Sequence, residues 1–334
     1  MSRARAARRI VKAAAYGGGG IGVLTGAFIG LIMAEAKLAR MAIGTPFGDP
    51  PRADGVYGDH YPGEPISFVL IGDSSAAGLG VEHPYETPGG LLAGGLASLA
   101  ERPVRLTSVA KVGAQSYDLE WQVDLALEAR PDIAVIMIGA NDVTHRVPPS
   151  TSVRLLTEAV RRLRTANCEV VVGTCPDLGT IEPIAQPLRW IARRWSRRLA
   201  AAQTIAVVEN GGRTVSLGDL LGPEFEANPR EMFSSDRFHP SAAGYATAAM
   251  AILPTMAAAL GVWPEDEPLD ALRGEGVLPV AFAAVEAAES AGTEVVGATT
   301  TGRAEVRHRD QKTVPKLREA AQEGAAEVVV DSPR

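Results

Sequence analysis

An α/β architecture, a largely parallel sheet with helices on both faces, is expected of this chain on two observations. Between about residues 66 and 262, short β-branched apolar runs alternate with longer stretches whose apolar residues recur at helical spacing. The run Phe68-Val69-Leu70-Ile71 is apolar throughout instead of alternating, which is the pattern of a strand covered on both faces. Composition agrees: 46% hydrophobic and 22% charged residues over 334 positions is ordinary for a globular protein with a substantial core.

From the amino terminus, residues 1–40 read as a basic segment followed by a membrane anchor or signal. Arg3, Arg5, Arg8, Arg9 and Lys12 precede an uncharged stretch of 22 residues, Ala13 to Ala34. As a helix it would be about 33 Å long, enough for a hydrocarbon core of about 30 Å. Its seven glycines make a soluble helix implausible, at roughly 1 kcal/mol each relative to alanine. Gly18, Gly22, Gly26 and Gly30 fall four apart and form one small-residue stripe, suited to close pairing of two spans into a homo-oligomer. The basic flank sets the amino terminus in the cytoplasm and the rest of the chain outside it, as a single-pass protein of the cell membrane. The alternative is a cleaved signal using Ala34-Glu35-Ala36, which would release a secreted protein.

Residues 41–65 are rich in Pro and Gly and show neither period, so they read as a linker. In the region 66–262, "ISFVLIG", "RLTSVAKVG", "IAVIMIGAND" and "EVVVGTC" are the expected strands. "DLEWQVDLALEA", "STSVRLLTEAVRRLRTA" and "QPLRWIARRWSRRLAAAQ" are the expected helices. In the last of these Leu188, Ile191, Trp195 and Leu199 make the core-facing stripe, with the arginines on a solvated face. Residues 263–334 hold fourteen acidic and eight basic residues, a balance of −6 that equals the whole formal charge. So polar a segment is expected to stay mostly disordered, apart from one short helix at "LPVAFAAVEAAESA".

The net charge of −6 gives no basic footprint, which excludes nucleic acid as a partner. Cys168 and Cys175 bracket one strand and would stand about 20 Å apart, too far for a disulfide.

The chemistry is expected at the strand ends. Gly72-Asp73-Ser74-Ser75 follows the first strand, but no lysine follows Gly78 and the turn fails GxGxxG at Ser74, so it is not a phosphate cradle. A serine there lies at the carboxyl edge of the sheet, where open α/β sheets bind ligands. Gly113 ends the second strand, Gly139-Ala140-Asn141-Asp142 the third, and Asp236 precedes His239 by three residues. A serine hydroxyl needs a base to become a nucleophile, and the histidine needs a carboxylate to hold its tautomer. The Asn141 amide and the backbone N–H groups of Ser74 and Gly113 would supply three donors to an oxyanion. Asp73 and Asp142 read as carboxylates bracing their loops, and His145 as a rim residue.

Gly72-Asp73-Ser74, Gly113, Gly139-Ala140-Asn141-Asp142 and Asp236-Arg237-Phe238-His239 resemble, in order, the four sequence blocks of the SGNH hydrolases, the GDSL esterase/lipase family. The resemblance covers about residues 66–262. It implies a three-layer α/β/α fold with a flavodoxin-like parallel sheet, and a serine esterase working through an acyl-enzyme. It also implies nucleophile Ser74, base His239, acid Asp236, and oxyanion donors at Ser74, Gly113 and Asn141. No cofactor and no metal are implied; the substrate is a carboxylic ester with a small, glycan-borne or lipid-borne acyl group. Two rival readings remain. One is a metal-dependent phosphoesterase built on Asp73, Asn141, Asp142, His145 and His239; the other is a non-catalytic, membrane-anchored binding protein on a hydrolase fold.

Overall fold

The computed structural model describes residues 28–39, 41, 43–44, 48–181, 183–218, 229–262, 269–290 and 292–308. Its centre is a nine-stranded mixed sheet in the order β1-β3-β2-β4-β5-β6-β8-β9-β7. The inner strands are β3 (Val104–Ser108), β2 (Ile66–Gly72), β4 (Ile133–Met137), β5 (Glu169–Gly173) and β6 (Arg213–Val215), all parallel. Along this block the strands run second-first-third-fourth-fifth in chain order, the flavodoxin-like arrangement. The strand order reverses between β2 and β4, which opens a crevice at their carboxyl ends.

Alternate residues of β2 go to opposite faces. Phe68 and Leu70 pack with Leu92 and Leu96 of α3 (Pro88–Ala100) and with Ile252 and Met256 of α9 (Ala242–Ala259). Val69 and Ile71 pack on the other face with α4 (Leu119–Glu128), α6 (Pro149–Thr165) and α7 (Leu188–Glu209). All four side chains are essentially inaccessible, and each such burial stabilises the fold by about 1.5–3 kcal/mol. Helix α9 is, among the described residues, the one helix long and apolar enough to cross a membrane, but it is mostly buried against α3 and the sheet. It is a core helix.

The sequence expectations need correcting at both edges of the sheet. The supposed linker carries β1 (Gly55–Tyr57), antiparallel to β3, and Ala53 and Tyr57 are buried. A three-residue edge strand is too short to show a period and forms because β3 offers it an unpaired edge. The acidic carboxyl-terminal segment is ordered over 269–290 and 292–308: β7 (Gly276–Pro279), β8 (Glu294–Gly297) and β9 (Arg303–Arg307) continue the sheet from β6 in antiparallel fashion. The expected helix is present as α10 (Val280–Glu289), and Val280, Ala283, Val295 and Val306 bury against Val208 of α7. Composition misled because this segment does not fold alone; β6 and α7 supply the other half of its core. Residues 309–334 lie outside the described residues.

Both cysteines are free and buried. In α7 the buried stripe is Ala192, Ser196, Leu199, Ala200 and Gln203, whereas Trp195, expected inside, is exposed. Residues 28–39 form a helix, α1, and residues 1–27, with Gly18, Gly22 and Gly26 of the expected stripe, lie outside the described residues. An amino-terminal membrane span is therefore not seen as such.

Candidate active site

The nucleophile turn is built by steric exclusion. Gly72 closes β2 at φ 147°, and a Cβ there would run into the Met137 carbonyl of the neighbouring strand, so only glycine fits. The chain then turns into α2 (Ser74–Ala77), with Asp73 as its cap: Asp73 Oδ1 accepts the Ser75 amide at 2.9 Å. Ser74 is the first residue of this turn and is 7% exposed. Gln122, wholly buried on α4, clamps the strand end; its Oε1 accepts the Gly72 amide at 3.1 Å and its Nε2 donates to the Gly72 carbonyl at 2.9 Å.

The histidine arrives on a separate loop between α8 (Pro229–Met232) and α9. The Ser241 amide donates to Met232 O and the Ser234 amide to His239 O, both at 2.9 Å, closing a tight excursion. Arg237 at its tip takes a φ of 56°, a left-handed conformation uncommon for a residue with a Cβ. That turn folds Asp236 back onto His239. Asp236 Oδ1 accepts the Phe238 and His239 amides, each at 2.9 Å, while Oδ2 lies 2.6 Å from His239 Nδ1. His239 Nε2 lies 3.0 Å from Ser74 Oγ. Tyr245 locks the two loops together by donating its hydroxyl to Leu79 O at 2.7 Å. The serine, histidine and aspartate are thus brought into one hydrogen-bonded line from two distant parts of the chain.

Asn141 and Gly113 flank this line. Asn141 lies in the first turn of α5 (Ala140–Thr144), after Gly139 at φ 137°. Its Nδ2 donates one hydrogen to Ala114 O at 3.1 Å, leaving a second donor for a ligand. Gly113 sits beyond the end of β3, not on it, in a loop that runs alongside β2: the Val109 amide donates to Leu70 O and the Lys111 amide to Gly72 O. Its φ of 81° suits glycine, and open space surrounds the position of a Cβ. Neither the Ser74 nor the Gly113 amide donates in any turn or loop hydrogen bond among the described residues.

Electrostatics separate the carboxylates. Burial pushes the Asp236 carboxyl up, but the His239 ring and the Phe238 and His239 amides outweigh it, so the group ends below its ordinary value. Asp73 goes the other way, to about 6, chiefly by desolvation; the Ser75 amide and His239 oppose the rise, and Asp142 adds to it. Asp142 is fully buried and binds Ser116 twice, through its amide at 2.9 Å and its hydroxyl at 2.5 Å. Both are loop braces. The His145 ring is exposed, with Nδ1 2.9 Å from Asn141 O. The five side chains of the metal reading are thus engaged separately, and no metal-ligating group of three His, Cys, Asp or Glu occurs among the described residues.

Three supporting residues escaped the sequence reading: Gln122, Ser116, and Gln203 of α7. Gln203 accepts the Cys175 amide at 2.8 Å and donates to Ile138 O at 3.0 Å, which ties the ends of β4 and β5 beneath Asn141. A polar residue inside an apolar helix stripe was the signal available for the two glutamines. A cleft of about 650 Å³ opens beside the nucleophile turn, between the 49–54 segment, Ala76 and Ala77, and Lys111 and Val112.

A model of the GDSL-like lipase/acylhydrolase family matches residues 70–247. The chain is 47% identical over 232 residues to the GDSL-like esterase Rv1075c of Mycobacterium tuberculosis, which covers 66% of this chain and 73% of that protein. Among solved structures, TesA aligns over 58% of this chain and 99% of its own, at 22% identity and a TM-score of 0.46. A catalytic mutant of an acetylxylan esterase from Geobacillus stearothermophilus aligns over 60% of this chain and 96% of its own, at 19% identity and a TM-score of 0.47.

Proposed function

The chain belongs to the GDSL-like lipase/acylhydrolase family and is a carboxylic-ester hydrolase; from that premise we propose a division of labour among its residues. Ser74 Oγ attacks the ester carbonyl while His239 Nε2 takes its proton. Asp236 holds the other ring nitrogen as N–H and stabilises the imidazolium. The tetrahedral oxyanion is met by the Ser74 and Gly113 amides and the Asn141 side chain. His239 returns the proton to the leaving alkoxide, and water releases the acyl group by the same steps. The observation that carries this reading is the continuous contact from Asp236 through His239 to Ser74, at 2.6 and 3.0 Å.

The cleft beside the nucleophile turn contains Arg52, Asp54 and Lys111 in its lining, which suits a polar leaving group or a short acyl group better than a long chain. Retention of the protein at a membrane through residues 13–34, with the catalytic domain outside the cytoplasm, belongs to the same proposal; the uncharged run and its basic flank support it.

The test is chemical. A fluorophosphonate should label Ser74 alone. Ser74→Ala and His239→Ala should each lower kcat by several orders of magnitude, with the double variant little worse than either, since such residues act as a unit. Asn141→Ala should cost about 10²–10³ in kcat with KM little changed. A Ser74→Ala variant that keeps its activity would overturn the serine mechanism.

A further inference from the structure

Glu35 is the first charge after the uncharged run, and it does not face water. Its Oε2 accepts the Leu188 amide at 3.0 Å, at the first residue of α7, and the side chain is buried. A carboxylate there satisfies an N–H that the helix cannot pair internally and faces the positive end of its dipole. One turn on, Ala39 is buried in a small apolar cluster with Ala140 and Ala192, to which Val143 and Phe238 contribute as partly buried members. Ala140 immediately precedes Asn141. Phe238 immediately precedes His239, whose ring it meets edge-on at 4.8 Å. The cluster that seats α1 therefore also underlies the oxyanion asparagine and the base.

Away from this seat α1 is apolar but exposed, at Leu38 beside Ala39 and along its other end. Phe28, Ile29, Leu31 and Met33 are all about half exposed or more. In water about half of each surface stays exposed, whereas a hydrocarbon phase would cover that remainder. At 1.5 Å per residue, Ala39 lies roughly 7–8 Å past Ala34, the last residue of the uncharged run, a distance comparable to the headgroup layer on one side of a bilayer. At the start of α7 stand exposed Trp190, with the Arg194 guanidinium over its ring at 5.8 Å, and exposed Trp195. Tryptophan and arginine together are the composition of a membrane interface facing anionic lipid.

We infer that this face of the catalytic domain is seated on an anionic phospholipid bilayer, which sets Asn141 and His239 close to headgroup level, so that the substrate is an ester presented in that layer. The inference rests on the esterase and anchor readings above and adds the substrate's physical state to them.

The experiment uses the full-length protein in vesicles of phosphatidylcholine and phosphatidylglycerol, with two acetyl esters: one freely soluble, one carried on a long-chain alcohol held in the bilayer. The variant Trp190→Glu with Arg194→Glu removes the exposed interfacial pair of this face and leaves residues 13–34, the Glu35 contact and the Ser74 site intact. Its rate on the soluble ester should match wild type, and its rate on the bilayer ester should fall by about tenfold or more, the loss expected when an active site is lifted off an interface. Brominated phospholipid should quench wild-type tryptophan emission, and Trp190→Phe should remove most of that quenching. An unchanged bilayer rate, or no quenching by brominated lipid, overturns the inference. If the double variant loses both rates by misfolding, the quenching of wild type against Trp190→Phe decides alone. Failure of the underlying readings looks different: carbonate would release the wild-type protein from membranes, or Ser74→Ala would keep the soluble-ester rate.

Discussion

Exchanging Asp236 for asparagine removes one charge and replaces one acceptor oxygen by a donor, in a place where the loop dictates which way the amide must point. Two backbone amides, of Phe238 and His239, donate to Asp236 Oδ1 at 2.9 Å and cannot turn away. The Ser234 hydroxyl at 2.8 Å can, since it has His239 O at 3.0 Å as a second acceptor. In Asp236→Asn the oxygen must therefore stay at the Oδ1 position. Flipping the amide would leave two buried donors facing a donor, at about 1–3 kcal/mol each, or roughly 2–6 kcal/mol in all. The NH₂ group then stands where Oδ2 was, 2.6 Å from His239 Nδ1, and forces that nitrogen to be the acceptor. The ring proton moves to Nε2, which faces Ser74 Oγ at 3.0 Å and can no longer take its proton. A fall in kcat of about 10⁴ is expected, as the corresponding exchange produces in serine proteases through the same tautomer. Steady-state hydrolysis of a soluble ester gives kcat, and ¹⁵N shifts of the imidazole give the tautomer. A variant within about tenfold of wild type, or one whose ring keeps its proton on Nδ1, would refute the reasoning.

Stability should respond to pH through Asp73. Its carboxyl titrates near 6 in the fold against an ordinary value of 3.8, so between those pH values the folded state holds a proton that the unfolded state has lost. Stability from this group is full below about 4 and declines as pH rises to about 6, by about 3 kcal/mol in total. Asp73→Asn keeps the cap on Ser75 and cannot ionise, so its advantage over wild type in urea unfolding should grow from pH 4 to pH 7. Asp236, whose carboxyl is lowered, loses its contribution as pH falls, but equally in both proteins. An advantage independent of pH would count against the assignment. Truncation after Val262 should lower the unfolding midpoint and promote association, because it strips β8 from the edge of β6 and uncovers Val208. A truncated protein that melts like the full chain would show that 269–308 is not part of the core.

The parallel heart of the sheet and the four chemical blocks were legible in the residues themselves. Uninterrupted apolar runs such as Phe68 to Ile71 can be satisfied only between two helical layers, and Gly72 has to be glycine because β4 passes so close. Asp236 and His239 are near enough in sequence for their pairing to be local. Other features depend on surfaces that exist only after folding. Strands β1, β7, β8 and β9 are three to five residues long, too short to show a period, and form because an edge of the finished sheet is there to pair with. Gln122 and Gln203 look like ordinary helix residues until the strand ends they clamp come within 3.1 Å. Glu35 reads as the charge that ends an apolar run; folding brings it to the amide of Leu188, 153 positions away. Local propensity and apolar pattern act over a few residues and so are written in the sequence, whereas edge pairing, buried polar clamps and helix-end contacts need a partner that the chain delivers only in three dimensions.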